Sequence, residues 1–360
     1  MKEIDVVTKN KMYPISVGME FGGLSDLACR CGLNGRTLCI VSDSNVAPIY
    51  IEKIKAAFKD SFSAVYEYIF KAGEKSKNIE TVKGMYDFFL DKKLDRKTVI
   101  AGLGGGVCGD MAGFAAATYL RGVKFIQIPT TLLAQVDSSV GGKVGIDYKN
   151  SKNVVGAFYQ PDFVYINTET IRTLPKREFS AGMAEVIKYG LIADAEFYNF
   201  IKTHKYEIKN YDSEIISQMI LKCCKIKADV VSKDEKEDGL REILNFGHTI
   251  GHAVETVKNF ELLHGECVAA GMAAVLNISL NRGYIEKGFL DEFTELIEFF
   301  GLPPHISGID CEAVYKQMFF DKKVRDNKIN FVIMKSLGNV FRTDSVSKEE
   351  AVEAIKSISG

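Results

Sequence analysis

Three of the five histidines in this chain of 360 residues, His248, His252 and His264, fall within 17 residues of one another. Arg241, Asn245, His248, His252 and Glu255 follow at alternating steps of four and three. On one α-helix those five side chains occupy an arc of roughly 80°, with Ile243, Leu244, Phe246, Ile250 and Val254 on the other faces. A solvated helix face is built mainly of Lys and Glu. One of Arg, Asn and two His has the composition of a ligand site. Gly247 and Gly251, four residues apart, thin such a helix for close approach by a neighbour. Neutral imidazole suits zinc, and a catalytic zinc takes three protein ligands and keeps one position open. On spacing alone, His248 and His252 at i, i+4 are the first pair, with His264 and a distant carboxylate as further candidates. Glu185 stands alone in the apolar helical run Ser180 to Lys188. A buried carboxylate there needs a partner, either Lys188 one turn on or a metal. His204 and His305 stand apart from any such pattern.

A second kind of chemistry is written in glycine. Ala101-Gly102-Leu103-Gly104-Gly105-Gly106-Val107-Cys108-Gly109-Asp110 follows a strand-like run and opens into a helical one. Gly104, Gly106 and Gly109 fit the dinucleotide pattern, in which glycines let backbone N–H groups approach a pyrophosphate at a helix N-terminus. The same residues also suit plain helix-on-strand packing, and the turn follows roughly the third strand rather than the first. A carboxylate at Asp110 repels a pyrophosphate, so its better partner is a nicotinamide ribose or another hydroxyl. Twenty residues on, Pro129-Thr130-Thr131 ends a strand-like run, and Asp137-Ser138-Ser139-Val140-Gly141-Gly142-Lys143 supplies hydroxyls, amides and a lysine. Lys149, Lys152 and Asn153 follow. Such a loop is either a solvated turn or a phosphate cradle, and the glycine turn before it favours the cradle.

These residues need elements to hold them. Strand-like runs at 37–42, 64–70, 98–101 and 123–128 alternate with helical patterns, including 78–91, which predicts βαβ units and a parallel sheet. Ser44 and Asn45 are placed to cap a helix after the first run. Beyond Pro175 helical periodicity dominates from Ser180 past Phe300. One hairpin is expected at 329–342 around Leu337-Gly338-Asn339, then a helix at 348–358. The expected fold is an N-terminal Rossmann-like α/β nucleotide-binding domain, residues 1–175, followed by a mainly α-helical metal- and substrate-binding domain, residues 176–360.

Hydrophobic residues at 46% and charged residues at 26% fit a soluble globular protein. The formal net charge of −1 excludes bulk attraction to nucleic acid or anionic membrane. The most apolar stretch, Val99 to Leu120, carries Asp110 and is broken by glycines, so no membrane span is expected. Eight cysteines form no zinc-type CxxC pair, and the opening Met1-Lys2-Glu3-Ile4-Asp5 has no apolar signal region. Reduced thiols and a cytoplasmic location are expected.

Taken in order, several stretches resemble the 3-dehydroquinate synthase family of sugar-phosphate cyclases. They are Gly73-Glu74-Lys75, Gly104 to Asp110, Ala115 to Gly122, Pro129 to Ala134, Asp137 to Lys143 and Gly182 to Lys188. Leu244-Asn245-Phe246-Gly247-His248-Thr249, His264-Gly265-Glu266 and Asp321-Lys322-Lys323 complete the set. The resemblance departs slightly at Lys71-Ala72, where many members carry a proline. It implies that a divalent metal, zinc or cobalt, is held by Glu185, His248 and His264, with His252 on the substrate phosphate instead. NAD is then held by Asp43, Glu74, Lys75, Gly104, Gly105, Gly106, Val107, Cys108, Gly109, Asp110, Thr130, Thr131, Lys143 and Lys152. The substrate is met by Arg121, Asp137, Lys143, Asn153, Lys188, Lys227, Arg241, Asn245, His252 and Lys322. Arg121 reaching a neighbouring subunit implies a homodimer. The implied activity is conversion of 3-deoxy-D-arabino-heptulosonate 7-phosphate to 3-dehydroquinate and phosphate in the shikimate pathway of aromatic amino acid biosynthesis. Its steps are transient oxidation by NAD, phosphate elimination, re-reduction and an intramolecular aldol. Another sugar-phosphate cyclase, or a metal-dependent polyol dehydrogenase of the same fold, is the alternative.

Overall fold

The structure is a computed structural model describing residues 1–9, 11–149, 151–237, 239–319 and 329–360. It divides into two compact units, Met1–Leu174 with Ser213–Lys236, and Pro175–Asp212 with Glu237–Gly360.

The first unit starts with an antiparallel pair, β1 (Lys2–Val7) and β2 (Met12–Gly18), followed by α1 (Leu24–Arg30), β3 (Thr37–Asp43) and α2 (Ala47–Ala57). It continues through β4 (Ala64–Phe70), α3 (Ile79–Asp91), β5 (Val99–Gly104), α4 (Gly106–Thr118) and β6 (Lys124–Pro129). A two-stranded ribbon, β7 (Lys143–Tyr148) with β8 (Ser151–Phe158), precedes β9 (Phe163–Asn167). The main sheet runs β1-β2-β9-β6-β5-β3-β4 and is parallel from β2 onward. Both of its faces are covered, as a parallel sheet requires. Leu38 and Ile40 of β3 enter the core formed with α1 and α2, while Cys39 and Val41 enter the one formed with α3 and α4.

In the second unit α5 (Lys176–Ala193), α6 (Ala195–Thr203) and α7 (Lys205–Lys209) come first. The chain then makes α8 (Ser213–Lys233), which packs on β1 and groups with the first unit. The division expected at 175/176 places this helix in the second domain. Its apolar face has the same helical periodicity wherever it docks, so spacing alone does not reveal its host. Next come α9 (His248–Val257), α10 (His264–Asn281), α11 (Lys287–Phe299) and α12 (Cys311–Met318), then the hairpin β10 (Phe331–Ser336) and β11 (Asn339–Thr343), and α13 (Lys348–Ser357). The hairpin turns at Leu337-Gly338, as its sequence predicts.

Two local expectations are corrected. Ser44 and Asn45 do not cap α2. The helix starts after Val46 with no side-chain cap, and Asp43 Oδ1 accepts from Asn45 N at 2.8 Å and Val46 N at 3.1 Å in the turn before it. The five-residue polar stripe is not one helix either. Leu240–Asn245 is a 3-10 turn, and Gly247, at φ +78°, breaks the path before α9 begins at His248. A left-handed backbone there suits glycine.

Candidate cofactor and metal sites

In the first unit the glycine turn sits between β5 and α4, where the N-terminal amides of α4 are free of helical partners. A Cβ on Gly105 would lie 3.0 Å from Thr131 Cγ2, and one on Gly106 would lie 3.1 Å from Ser138 Oγ. The turn and the Pro129 to Lys143 stretch therefore form one continuous surface, and the amide of Thr130 donates to Gly104 O at 2.9 Å. The thiol of Cys108 is buried, donates to Val41 O at 3.2 Å, and is pushed well up in pKa by burial. It is a packing residue; only its backbone faces the turn's chemistry.

Charge is arranged around this surface in pairs. Lys227 of α8 donates to Asp137 Oδ1 at 2.7 Å and to Asp137 O at 2.6 Å. Lys152 of β8 lies 3.3 Å from Glu74 Oε1, in the 3-10 turn Glu74–Ser76. Lys77, which the motif reading passed over, is buried and donates to Asp110 Oδ2 at 2.6 Å and to Asn153 Oδ1 at 2.5 Å. Burial raises the Asp110 carboxyl and Lys77 opposes that rise. A lysine beside a helix cap carries no spacing signal, so only the folded chain reveals it. Lys75 sits in the same 3-10 turn, and Lys143 opens β7. Arg121 follows Leu120 in a left-handed stretch, φ +51° and +67°, leading to β6.

In the second unit, close packing brings three helices to one point. A Cβ on Gly265 would lie 2.0 Å from Ala181 O, and one on Gly251 would lie 2.8 Å from Cys267 O. Arg177 of α5 also grips Glu266 of α10 with Nε–Oε1 at 2.7 Å and Nη2–Oε2 at 2.8 Å. His264, at the start of α10, is thereby set opposite Glu185 of α5. Glu185 Oε1 stands 3.5 Å from His248 Nε2 and 3.5 Å from His264 Nε2. Oxygen and nitrogen ligands about 2.0–2.2 Å from a tetrahedral ion are separated by about 3.3–3.6 Å, so both separations from Glu185 Oε1 suit neighbouring ligands of one ion. Each imidazole is held at its other nitrogen: His248 Nδ1 lies 3.1 Å from Phe246 O, and His264 Nδ1 lies 3.5 Å from Glu255 Oε2. Such outer acceptors point Nε2 inward.

Glu185 Oε2 meets Lys188. Both partners proposed for this glutamate, the lysine and the metal ligands, are thus present at once. Burial lowers the His264 pKa, but hydrogen bonds to Glu185 and Glu255 outweigh it and carry the value up to about 9. His252 is the other candidate: the ligand atoms of His248, His252 and His264 all lie within 4.8 Å of one another. The geometry thus brings together all four residues that the sequence singled out as ligand candidates.

Near this cage Arg241 is fully buried, and its neighbour Glu242 is tied to Arg342 of β11 at 2.9 Å. Asn245 Nδ2 donates to Glu237 Oε1 at 2.9 Å. Lys322 lies outside the described residues.

Among known proteins, residues 67–181 and 182–324 match the family models described as 3-dehydroquinate synthase N-terminal and 3-dehydroquinate synthase C-terminal. The chain is 45% identical to the 3-dehydroquinate synthase of Acetivibrio thermocellus, over 99% of this chain and 98% of that one. It is 48% identical to that of Ruminiclostridium cellulolyticum, over 93% of each. Similar solved structures include a 2-deoxy-scyllo-inosose synthase complexed with carbaglucose-6-phosphate, NAD+ and Co2+ (TM-score 0.89, 24% identity, 99% and 100% of the two chains). Another is a 2-epi-5-epi-valiolone synthase from Streptomyces hygroscopicus with NAD+ and Zn2+ bound (TM-score 0.89, 23% identity, 98% of each).

Proposed function

Because the chain belongs to the 3-dehydroquinate synthase family, we propose that it holds NAD on its first unit and a divalent metal on Glu185, His248 and His264 of its second. The enzyme converts 3-deoxy-D-arabino-heptulosonate 7-phosphate into 3-dehydroquinate and phosphate. The observation that carries the metal assignment is the pair of 3.5 Å separations from Glu185 Oε1 to two imidazole Nε2 atoms, each ring held from behind. His252 is left for the substrate phosphate. When bound, the ion supplies a Lewis acid for a substrate hydroxyl, and NAD supplies a hydride acceptor that returns the hydride.

The chain's own residues do the rest. The glycine turn and Thr130–Thr131 seat the dinucleotide with Asp43, Glu74, Lys75, Lys143 and Lys152, and Asp110 takes a ribose or amide group. Lys143 and Asn153 bind the substrate phosphate, and Lys227 holds Asp137 in place. In the second unit Lys188 fixes the rotamer of Glu185, Arg241 forks onto the substrate carboxylate, and Asn245 orients a hydroxyl. Lys322 adds charge by family likeness.

Two coarser readings accompany this one. Val154, Val155 and Phe158 are exposed apolar residues on β8, and Leu120, next to Arg121 in the chain, is exposed as well, which fits a homodimer in which Arg121 serves the neighbouring subunit. No helix among the described residues is long and apolar enough to cross a membrane. All eight cysteines are free thiols, which fits the cytoplasm.

The test incubates metal-loaded protein with the heptulosonate phosphate and catalytic NAD, following phosphate, dehydroquinate and absorbance of NADH. Phosphate and dehydroquinate should form in equal amounts with no stoichiometric NADH. Steady NADH accumulation would instead identify a polyol dehydrogenase.

A further inference from the structure

The polar stripe contains one residue that the family resemblance gives no role. Glu255 lies one turn beyond His252 on α9, buried among Ala253, Val254 and the neighbouring helix. A carboxylate in that position is costly unless a cation or donor compensates it. Its counterpart is His264: Oε2 stands 3.5 Å from Nδ1.

This contact follows from helix register. α9 and α10 approach through their glycines, with a Cβ on Gly251 falling 2.8 Å from Cys267 O and one on Gly271 falling 2.1 Å from Gly247 O. Each step forward along α9 therefore matches a step back along α10. Gly247 faces Gly271, Gly251 faces Cys267, and one further turn sets Glu255 against His264. The same register that gathers the histidines delivers this glutamate behind one of them.

We infer that Glu255 is a positioning residue for the metal centre, fixing His264 with its proton on Nδ1 and its Nε2 toward the ion. The inference rests on the metal reading above. His264 is flanked by carboxylates at both nitrogens, Glu185 from α5 and Glu255 from α9, so once Nε2 coordinates, only Nδ1 can carry the proton. That N–H then donates to Glu255, turning the imidazole into a stronger ligand. The other ligand histidine is treated differently, since His248 Nδ1 faces the neutral carbonyl of Phe246.

Charge gives a second reason. Lys188 offsets Glu185 within the cage, so a dication held there keeps its full +2 unless a further anion is near. Glu255 is that anion. It therefore favours capture of a divalent ion.

The experiment compares wild type, Glu255→Gln, Glu255→Asp and His264→Ala. Zinc affinity is read by chelator competition, the visible spectrum after cobalt substitution, and NAD affinity by calorimetry. Glu255→Gln should lose ten- to a hundredfold in zinc affinity, shift the cobalt bands and keep NAD affinity; Glu255→Asp should recover part of the loss. Zinc affinity within twofold of wild type and unchanged cobalt bands in Glu255→Gln would overturn the inference while leaving the metal assignment intact. Full metal binding in His264→Ala would overturn the metal assignment itself. Should Glu255→Gln not fold, nitrogen-15 NMR of the zinc-loaded wild type decides: the inference expects a protonated Nδ1 and a metal-bound Nε2 on His264, and the reverse tautomer refutes it.

Discussion

Gly265→Ala tests whether helix packing sets the metal cage. Gly265 lies in the first turn of α10 with ordinary helical geometry, so alanine adds no backbone strain; the whole effect is steric. The new Cβ would lie 2.0 Å from Ala181 O, whereas ordinary contact begins at 3.4 Å, so α5 and α10 must part locally by about 1.4 Å. Overpacking of this kind costs about 1–3 kcal/mol. His264 moves with its neighbour, and its 3.5 Å separation from Glu185 Oε1 opens beyond the roughly 3.6 Å upper edge of a tetrahedral site. We therefore expect a lower thermal midpoint for the metal-free protein and at least tenfold weaker zinc binding, with NAD affinity unchanged. Gly288→Ala is the matched control: its Cβ meets nothing within 4 Å, so it should stabilise by about 0.4–1 kcal/mol and leave zinc untouched. A Gly265→Ala protein that binds zinc as wild type does would refute the argument that this contact positions His264.

Three further outcomes follow from individual contacts. Arg241→Ala should reduce kcat/KM for the heptulosonate phosphate ten- to a hundredfold, the loss of about 1.5–3 kcal/mol expected for a charged hydrogen bond, while zinc and NAD titrations stay normal; a neutral effect refutes the carboxylate role, and wild type should not cyclise glucose 6-phosphate comparably. Lys77→Met strands the Asp110 carboxylate in a buried place and should cost about 3–5 kcal/mol, with NAD binding weakened in calorimetry and zinc binding retained; unchanged NAD affinity would show that Asp110 does not face the dinucleotide. Arg282 holds the Glu350 carboxyl down at about 2 against an ordinary 4.5, so its stabilisation is complete above about pH 4.5 and disappears as pH falls toward 2. Thermal midpoints of wild type and Glu350→Gln should accordingly differ above pH 4.5 and converge toward pH 2; a constant gap across that range refutes the assignment.

What the sequence reveals depends on how local each signal is. The strands at 37–42, 64–70, 98–101 and 123–128 are continuous β-branched runs whose identity does not depend on distant partners, and each corresponds to a strand within a few residues. Leu337-Gly338 marks its turn by a glycine at φ +78°. Glu185 stands out because a lone carboxylate in an apolar helix is chemically anomalous anywhere. By contrast, the β7–β8 ribbon carries mostly exposed residues on β8, so it lacks the apolar alternation that betrays a strand. The stripe from Arg241 to Glu255 imitates one helix because Gly247 reverses the backbone without disturbing the spacing of the polar residues. Lys77 and α8 are hidden for a common reason: their roles depend on Asp110, Asn153, Asp137 and β1, all distant in sequence.

Buried cations deserve a different account from the one that net charge suggests. Lys77, Lys188 and Lys227 are each buried, and each already faces a carboxylate: Asp110, Glu185 and Asp137 respectively. Their positive charge is therefore mostly neutralised within the protein, so the attraction offered to a phosphorylated acid is smaller than a count of lysines implies. What the pairing supplies is fixed direction. Each ammonium is held in place by its carboxylate, so at the positions proposed to meet substrate the side chain is ordered beforehand. Pre-paid ordering of this kind raises the rate by lowering the entropic cost of reaching a reactive geometry. It also explains why a chain of net charge −1 can serve a substrate bearing both phosphate and carboxylate. A long-range positive field is unnecessary when the few charges that matter are already aimed.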